Sequence, residues 1–337
     1  WQMTLLYLLW QILCLKYIAG QRAVSSRFRI LTEDFMYSIL SNRKKMNRFL
    51  PLLLLALFVC TGVHCQRSEA PDGAGGRTEE SPSEPFFFIQ LSDPQFGFMD
   101  ANQSYTAEAE LMERAVGIIN RLRPDFVVVT GDMVNASKST DQVAAFKRSM
   151  AGIDRKIPVY VIPGNHDISK TTDPAQLEAY AKNYGQDRFS FDHKGCRFVG
   201  INSCVIREEN PDLEPEQYEW LENKLAEAED ARFRFVFSHY SFFLKTPDEA
   251  DKYSNIPLSV RGKYLDLFHR YRVAAVFAGH LHDVSYGEDR GMKMVTAGAL
   301  GKALGKGFHG MNLVKVYPDR FTYEYIALDR FPDKVTF

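Results

Sequence analysis

The sequence predicts an α/β domain with a mixed strand arrangement over residues 86–337. Three observations carry this. From Pro85 onward, short apolar runs rich in Val, Ile and Phe alternate with longer segments whose apolar residues recur at helical spacing. The last runs follow one another without helices between them, so the pairing is not all parallel. A chain that is 45% hydrophobic and 25% charged has ordinary globular composition, enough to bury a large core in one domain of about 250 residues.

Taken in order, Phe86 to Leu91 is an apolar strand before Ser92-Asp93-Pro94. Ala107 to Leu122 repeats Leu111, Ala115, Ile118, Ile119 and Leu122 on one helical face. Phe126 to Thr130 is a β-branched strand ending in Gly131-Asp132, and Ala144 to Ile153 reads as helix. Val159 to Ile162 is a strand ending in Pro163-Gly164-Asn165-His166-Asp167. Phe189 to Phe191 and Arg197 to Asn202 read as strands, and Glu216 to Ala228 as a helix with Pro215 in its first turn. Phe233 to Phe237 is a strand before Ser238-His239. Ser259 to Tyr271 is helical, and Val273 to Ala278 is a strand before Gly279-His280-Leu281-His282. Met292 to Thr296, Met311 to Tyr317 and Phe321 to Leu328 close the chain as strands. The high counts of 25 Phe and 16 Tyr suit a strand-rich core.

The formal net charge of −1 offers no basic footprint for nucleic acid, and none is expected as a partner. The cysteines, at 14, 60, 65, 196 and 204, form no Cys-x-x-Cys pair, which argues against a thiolate zinc site. Cys196 and Cys204 flank one apolar run and, as the two ends of a strand, lie too far apart for a disulfide.

Residues 1–45 do not read as part of the domain and are expected to be an upstream or non-native extension. Met46 opens a signal peptide or lipoprotein signal over 46–60: a short positive region, then the apolar run Phe49 to Val59, then Cys60. That run is too short for a membrane span, which needs about 20 residues. Leu57-Phe58-Val59-Cys60 resembles a bacterial lipobox, with Cys60 as the lipidated residue. Residues 61–85, rich in Gly, Pro, Ser and Glu, cannot bury apolar surface and are expected to be a disordered linker. The expected protein is therefore exported and bacterial. It is either a membrane-anchored lipoprotein or periplasmic or secreted, and meets a membrane only through its N-terminal lipid.

The chemistry gathers at strand ends. Asp93, Asp132, Asn165-His166-Asp167, His239, and His280 with His282 each stand just past an apolar run. In α/β sheets ligands collect at the carboxyl ends of strands, so these residues converge. Carboxylates, imidazoles and an amide oxygen suit divalent metals of borderline hardness.

In order and type this set resembles the calcineurin-like metallophosphoesterase superfamily, over about residues 86 to 329. Ser92-Asp93-Pro94-Gln95-Phe96-Gly97, Ala299-Leu300-Gly301 and His309-Gly310 look closest to the branch named calcineurin-like phosphoesterase domain-containing protein 1. The resemblance implies a four-layer α/β/β/α sandwich with two mixed sheets. It also implies two divalent metal ions, drawn from Mn, Fe, Zn or Mg. Carried over by motif, one metal takes Asp93, Asp132 and His282, and the other takes Asp132, Asn165, His239 and His280. His166 sits over the substrate phosphate as proton donor, oriented by Asp167, and Asn165 and His309 are further phosphate contacts. Where most members carry His two residues after the first Asp, this sequence has Gln95. Its neutral side-chain oxygen either ligates, favouring harder ions such as Mn²⁺ or Mg²⁺, or stands behind a water.

Two divalent ions less the charges of Asp93 and Asp132 leave a positive site suited to a phosphate. The implied reaction is metal-dependent hydrolysis of phosphate esters, foremost phosphomonoesters, by metal-bound hydroxide with His166 as general acid. The substrate is a phosphorylated small molecule or a phosphoprotein. Two alternatives remain: a phosphodiesterase of the cyclic-nucleotide type, on the Gly-His-x-His ending, and a non-catalytic metal- or phosphate-binding relative, on Gln95.

Overall fold

The computed structural model describes residues 84–168, 174–305 and 307–337. The expected extension at 1–45, the signal at 46–60 with Cys60, and all but the last two residues of the 61–85 linker lie outside the described residues. Among the described residues no helix is long and apolar enough to cross a membrane.

The elements run β1 (Phe86–Leu91), α1 (Thr106–Leu122), β2 (Val127–Val129), α2 (Thr140–Met150), β3 (Val159–Val161), α3 (Pro174–Tyr184), β4 (Phe189–His193) and β5 (Cys196–Gly200). They continue through α4 (Ser203–Arg207), α5 (Leu213–Ala226), β6 (Phe233–Phe237), α6 (Leu258–Arg270) and β7 (Val273–Ala278). β8 (Ser285–Asp289), β9 (Met292–Thr296), β10 (Gly310–Val316) and β11 (Phe321–Ala327) complete the chain. They build a five-stranded sheet of order β11-β10-β1-β2-β3 and a six-stranded sheet of order β4-β5-β6-β7-β9-β8. Both are mixed. β1, β2 and β3 pair in parallel while β10 joins β1 antiparallel. β5, β6, β7 and β9 pair in parallel between antiparallel edges β4 and β8.

Strand alternation makes four layers of this. In β1, Phe86 and Phe88 join one core cluster while Phe87, Ile89 and Leu91 join another. The same split divides Phe126 and Val128 from Val127 and Val129, and Phe235 and Phe237 from Val236. One face of each sheet therefore meets the other sheet, and the second face meets helices. The inter-sheet layer is aromatic: Phe88 stacks on Phe126 at 4.9 Å and meets Phe198, Phe237 and Phe277 edge-on. One polar group crosses it. Gln90 Nε2 donates to Thr130 Oγ1 in its own sheet and to the Ala278 carbonyl in the other, and its Oε1 accepts from Asn312. Buried and paired on every side, it ties the two sheets directly beneath the loops that follow β2 and β7.

Several boundaries differ from the sequence reading. α2 starts at Thr140 rather than Ala144, because the Ser139 hydroxyl caps it by accepting from Gln142 N. The run expected as one strand from Arg197 breaks after Gly200, and Ser203 begins a short helix capped by Asn202. Cys196 and Cys204 are buried free thiols on different elements.

Candidate metal centre

The loops after β1, β2 and β3 come from one sheet, and those after β6 and β7 from the other. Those after β1, β2 and β7 leave their strands through a backbone that L-residues rarely adopt: φ is +51° at Asp93, +40° at Gln95, +52° at Asp132, +68° at His280 and +57° at His282. Left-handed conformations at non-glycine residues cost of order 1–3 kcal/mol each and persist only where the surroundings impose them. Here they turn five side chains inward together.

Two donor groups form. Asp132, His239 and His280 make one, and Asp93, Asp132 and His282 the other, with the ligand atoms of each group all within 4.8 Å of one another. Asp132 belongs to both. Its Oδ1 accepts from the His166 backbone amide at 2.8 Å, and its Oδ2 lies 3.4 Å from His239 Nε2. Asn165 Oδ1 is 3.1 Å from the same His239 nitrogen. Asp93 Oδ2 accepts from Ser92 Oγ at 2.5 Å and from His280 N at 2.9 Å, while Oδ1 stands 3.4 Å from His282 Nε2.

The histidines are held by their Nδ1 atoms. His239 Nδ1 meets the Thr130 carbonyl at 2.8 Å, His282 Nδ1 the Lys302 carbonyl at 2.6 Å and His166 Nδ1 the Asn135 carbonyl at 2.9 Å. A carbonyl only accepts, so Nδ1 carries the proton and Nε2 is presented to the site. His280 Nδ1 faces His239 Nε2 at 3.2 Å, a spacing that needs a proton or a cation between two lone pairs.

Electrostatics supply the proton. Burial works to lower the His239 pKa, but the Asp132 carboxylate overrides it and raises it to about 9. Burial, with His239 beside it, pushes His280 down to about 3. Burial opposes ionisation of Asp93, yet the His282 imidazole holds its carboxyl below the usual range. Against the same penalty, His239 lowers Asp132. Three buried polar atoms at the centre find no hydrogen-bond partner: Asp93 Oδ1, Gln95 Oε1 and His280 Nε2. Orphaned buried acceptors are costly, and a mixed N/O set of them within the two donor groups and beside them fits divalent cations. The residues present thus suit a dimetal site.

Two expectations need correcting or completing. Asp167 does not orient His166. Its Oδ1 accepts from Met133 N at 2.9 Å and Val134 N at 3.3 Å, and its Oδ2 from Gly164 N at 2.8 Å. It braces the loops after β2 and β3, and burial beside Asp132 raises its pKa to about 8. The orienting group is the Asn135 main-chain carbonyl, which side-chain types cannot reveal. The Asn135 side chain also accepts from Gln95 Nε2 at 3.3 Å, so one residue addresses both Gln95 and His166. His309 is half-buried, with Nδ1 on the Gly301 carbonyl at 2.5 Å, in the loop that covers the Asp93 turn. Of the loop aromatics, Phe96, Phe242 and Phe243 are core, whereas Phe98 and Tyr253 stand at the rim. The Tyr253 ring lies 4.7 Å from that of His280, and its hydroxyl accepts from Asn165 Nδ2 at 3.4 Å.

A two-sheet sandwich with a carboxylate shared between two donor groups defines a class, and the sequence places the chain within it. The chain belongs to the calcineurin-like phosphoesterase family, whose profile matches residues 88–284, and is a hydrolase of phosphoric ester bonds. The rat serine/threonine-protein phosphatase CPPED1 is 33% identical over 79% of this chain and 91% of the rat protein. The glycerophosphodiester phosphodiesterase GpdQ of Enterobacter lignolyticus is 28% identical over 60% of this chain and 69% of its own. A crystallised dimetal phosphatase from Danio rerio shares the fold, with a TM-score of 0.56 at 19% identity over 73% of this chain and 97% of that one.

Proposed function

We propose that the chain hydrolyses phosphomonoesters, on a small molecule or on phosphoserine and phosphothreonine, with two divalent ions. The observation that carries this is the shared Asp132 between two donor groups whose inner atoms lack partners. The sequence likeness to a serine/threonine-protein phosphatase supports the monoester reading.

Asp93, Asp132, His282 and Gln95 would hold one ion, and Asp132, Asn165, His239 and His280 the other. Bound there, the ions supply Lewis acidity toward phosphoryl oxygens and lower the pKa of water. The protein's own share is positional. The Thr130 and Lys302 carbonyls fix two imidazoles with Nε2 inward. The Asn135 carbonyl keeps the His166 proton on Nδ1 when the ring is neutral, so Nε2 is the atom that holds a second proton and gives it to the leaving oxygen. Asp167 keeps the loops after β2 and β3 in register, so that the His166 amide stays on Asp132.

Hydrolysis of p-nitrophenyl phosphate and bis-p-nitrophenyl phosphate, with Mn²⁺ and with chelator, tests the proposal. Asp132→Ala should lose metal and activity together. His166→Ala should keep its metal and lose roughly 10²–10⁴-fold in rate. A fully active His166→Ala enzyme would remove the acid role. The likeness to GpdQ favours one second reading, a phosphodiesterase, which preference for the diester would establish. Export remains a proposal resting on the run Phe49 to Val59. Lipid on Cys60 of the native protein would support it, and native peptides from residues 1–45 would count against a start at Met46.

A further inference from the structure

The rim of the centre carries a cation that the hydrolytic residues leave unused. Lys302 lies in the loop between β9 and β10, and that loop is tied to the ligand turns at four points. Leu300 N donates to the Ser92 carbonyl at 2.8 Å and Gly301 N to that of Asp93 at 3.0 Å. The Lys302 carbonyl accepts from His282 Nδ1 at 2.6 Å, and Leu304 N donates to the His282 carbonyl at 3.0 Å. The loop lies so close that a Cβ on Gly301 would stand 2.6 Å from the Pro94 carbonyl oxygen. The main chain of Lys302 is therefore tied directly to the turns that carry Asp93 and His282.

Its side chain crosses the face of Phe98, with the ammonium 5.0 Å from the ring centroid. The same ring lies 5.4 Å from that of His282 and 6.2 Å from that of His166. The ammonium is thus one aromatic ring away from both a metal-side imidazole and the imidazole beside the leaving group. Among the described residues no carboxylate pairs with it. Charge placed against an aromatic face, without a counter-ion, at the edge of an anion site, is available to the anion.

We propose that Lys302 is a specificity-determining residue whose ammonium receives an anionic oxygen of the bound phosphoryl group. It thereby favours the dianion of a monoester over the single charge of a diester. Phe98 is the platform that keeps the ammonium at the rim. The inference rests on the phosphoester-hydrolase reading of the site and deepens it.

The test compares Lys302→Gln and Lys302→Arg with the parent, all Mn²⁺-loaded and matched in melting temperature. Removing a charged hydrogen bond should lower the monoester-to-diester ratio of kcat/KM by roughly tenfold or more. It should also weaken inorganic phosphate binding, measured by calorimetry, by a similar factor, and flatten its salt dependence. Lys302→Arg should recover most of both. An unchanged ratio and unchanged phosphate affinity in Lys302→Gln would overturn the inference. So would equal loss on both esters with phosphate affinity intact, since that would mark a structural role. Phosphate binding needs no turnover. A parent that binds phosphate through Lys302 yet cleaves neither ester would overturn the hydrolytic reading while supporting the phosphate contact of Lys302.

Discussion

Gly279, the residue between β7 and His280, allows the site's construction to be tested with one methyl group. Its backbone φ is not in the left-handed range, so alanine meets no torsional objection there. Space is the objection: a Cβ would fall inside the Ser92 hydroxyl and stand 2.6 Å from Asp93 Oδ2. Asp93 would have to give up its contacts with Ser92 Oγ and with the His280 amide. At about 1.5–3 kcal/mol for each hydrogen bond to a charged group, Gly279→Ala should cost roughly 3–6 kcal/mol. At about 2–4 °C per kcal/mol, that is a fall of about 6–24 °C in Tm. It should also release the ion that Asp93 helps to hold. Gly117 and Gly262 are controls. Both are exposed on helices with nothing within 4 Å of a new Cβ, so alanine there should stabilise by about 0.5–1 kcal/mol. The assay is urea unfolding with chelator and with Mn²⁺, beside elemental analysis of bound metal. A Gly279→Ala protein with the parent's midpoint and full metal content would refute the close-approach argument.

Mn²⁺ binding at pH 7.5 should release at least one proton, because His239, raised to about 9, must shed it. Affinity should therefore climb with pH until about 9, by about tenfold per unit from this group alone, as calorimetry in buffers of differing ionisation heat would show. The metal-free protein should behave oppositely. A histidine raised from 6.5 contributes stability that is complete below pH 6.5 and lost as pH rises through about 9, so the urea midpoint with chelator should fall across that window. Gln95→Ala, which deletes the orphaned Oε1, should weaken one of the two ions by roughly 10- to 100-fold, read by Mn²⁺ titration; affinities unchanged from the parent for both ions would show that water serves there. Phe88→Ala, in the centre of the inter-sheet layer, should cost about 3–5 kcal/mol in urea while leaving kcat/KM at low temperature unchanged.

What could be read from the sequence was whatever repeats at short range or declares itself by residue type. β1, β2, β6 and β7 are dense apolar runs followed at once by Asp or His, and both the strands and the convergence of their ends followed from that. α3 and β8 were missed because they are polar. α3 buries only Tyr180 among its residues, and β8, with the sequence SYGED, is an edge strand that needs no apolar face. The orientation of His166 was misassigned to the neighbouring Asp167, because proximity in sequence was visible and the Asn135 carbonyl was not. Phe98 and Phe96 look alike in the sequence, yet one stacks beneath α1 with Tyr105 and the other faces the imidazoles. Which loop lies over which is decided by tertiary packing, and Lys302 owes its place to that alone.

The order of strands in the first sheet also bears on how the protein is made. β1 pairs with β2 on one edge and with β10 on the other, and the Asn312 side chain bonds to Gln90 across 222 residues of chain. At about 5–20 residues per second of synthesis, the free edge of β1 stays open for about 10–40 s after its other partner has emerged. Six consecutive buried residues, with one row of amides unpaired, invite association with neighbouring chains for that interval. A chain cut after Phe308 would contain every metal ligand and still lack the strand that pairs with β1, the strand that leads into Asp93.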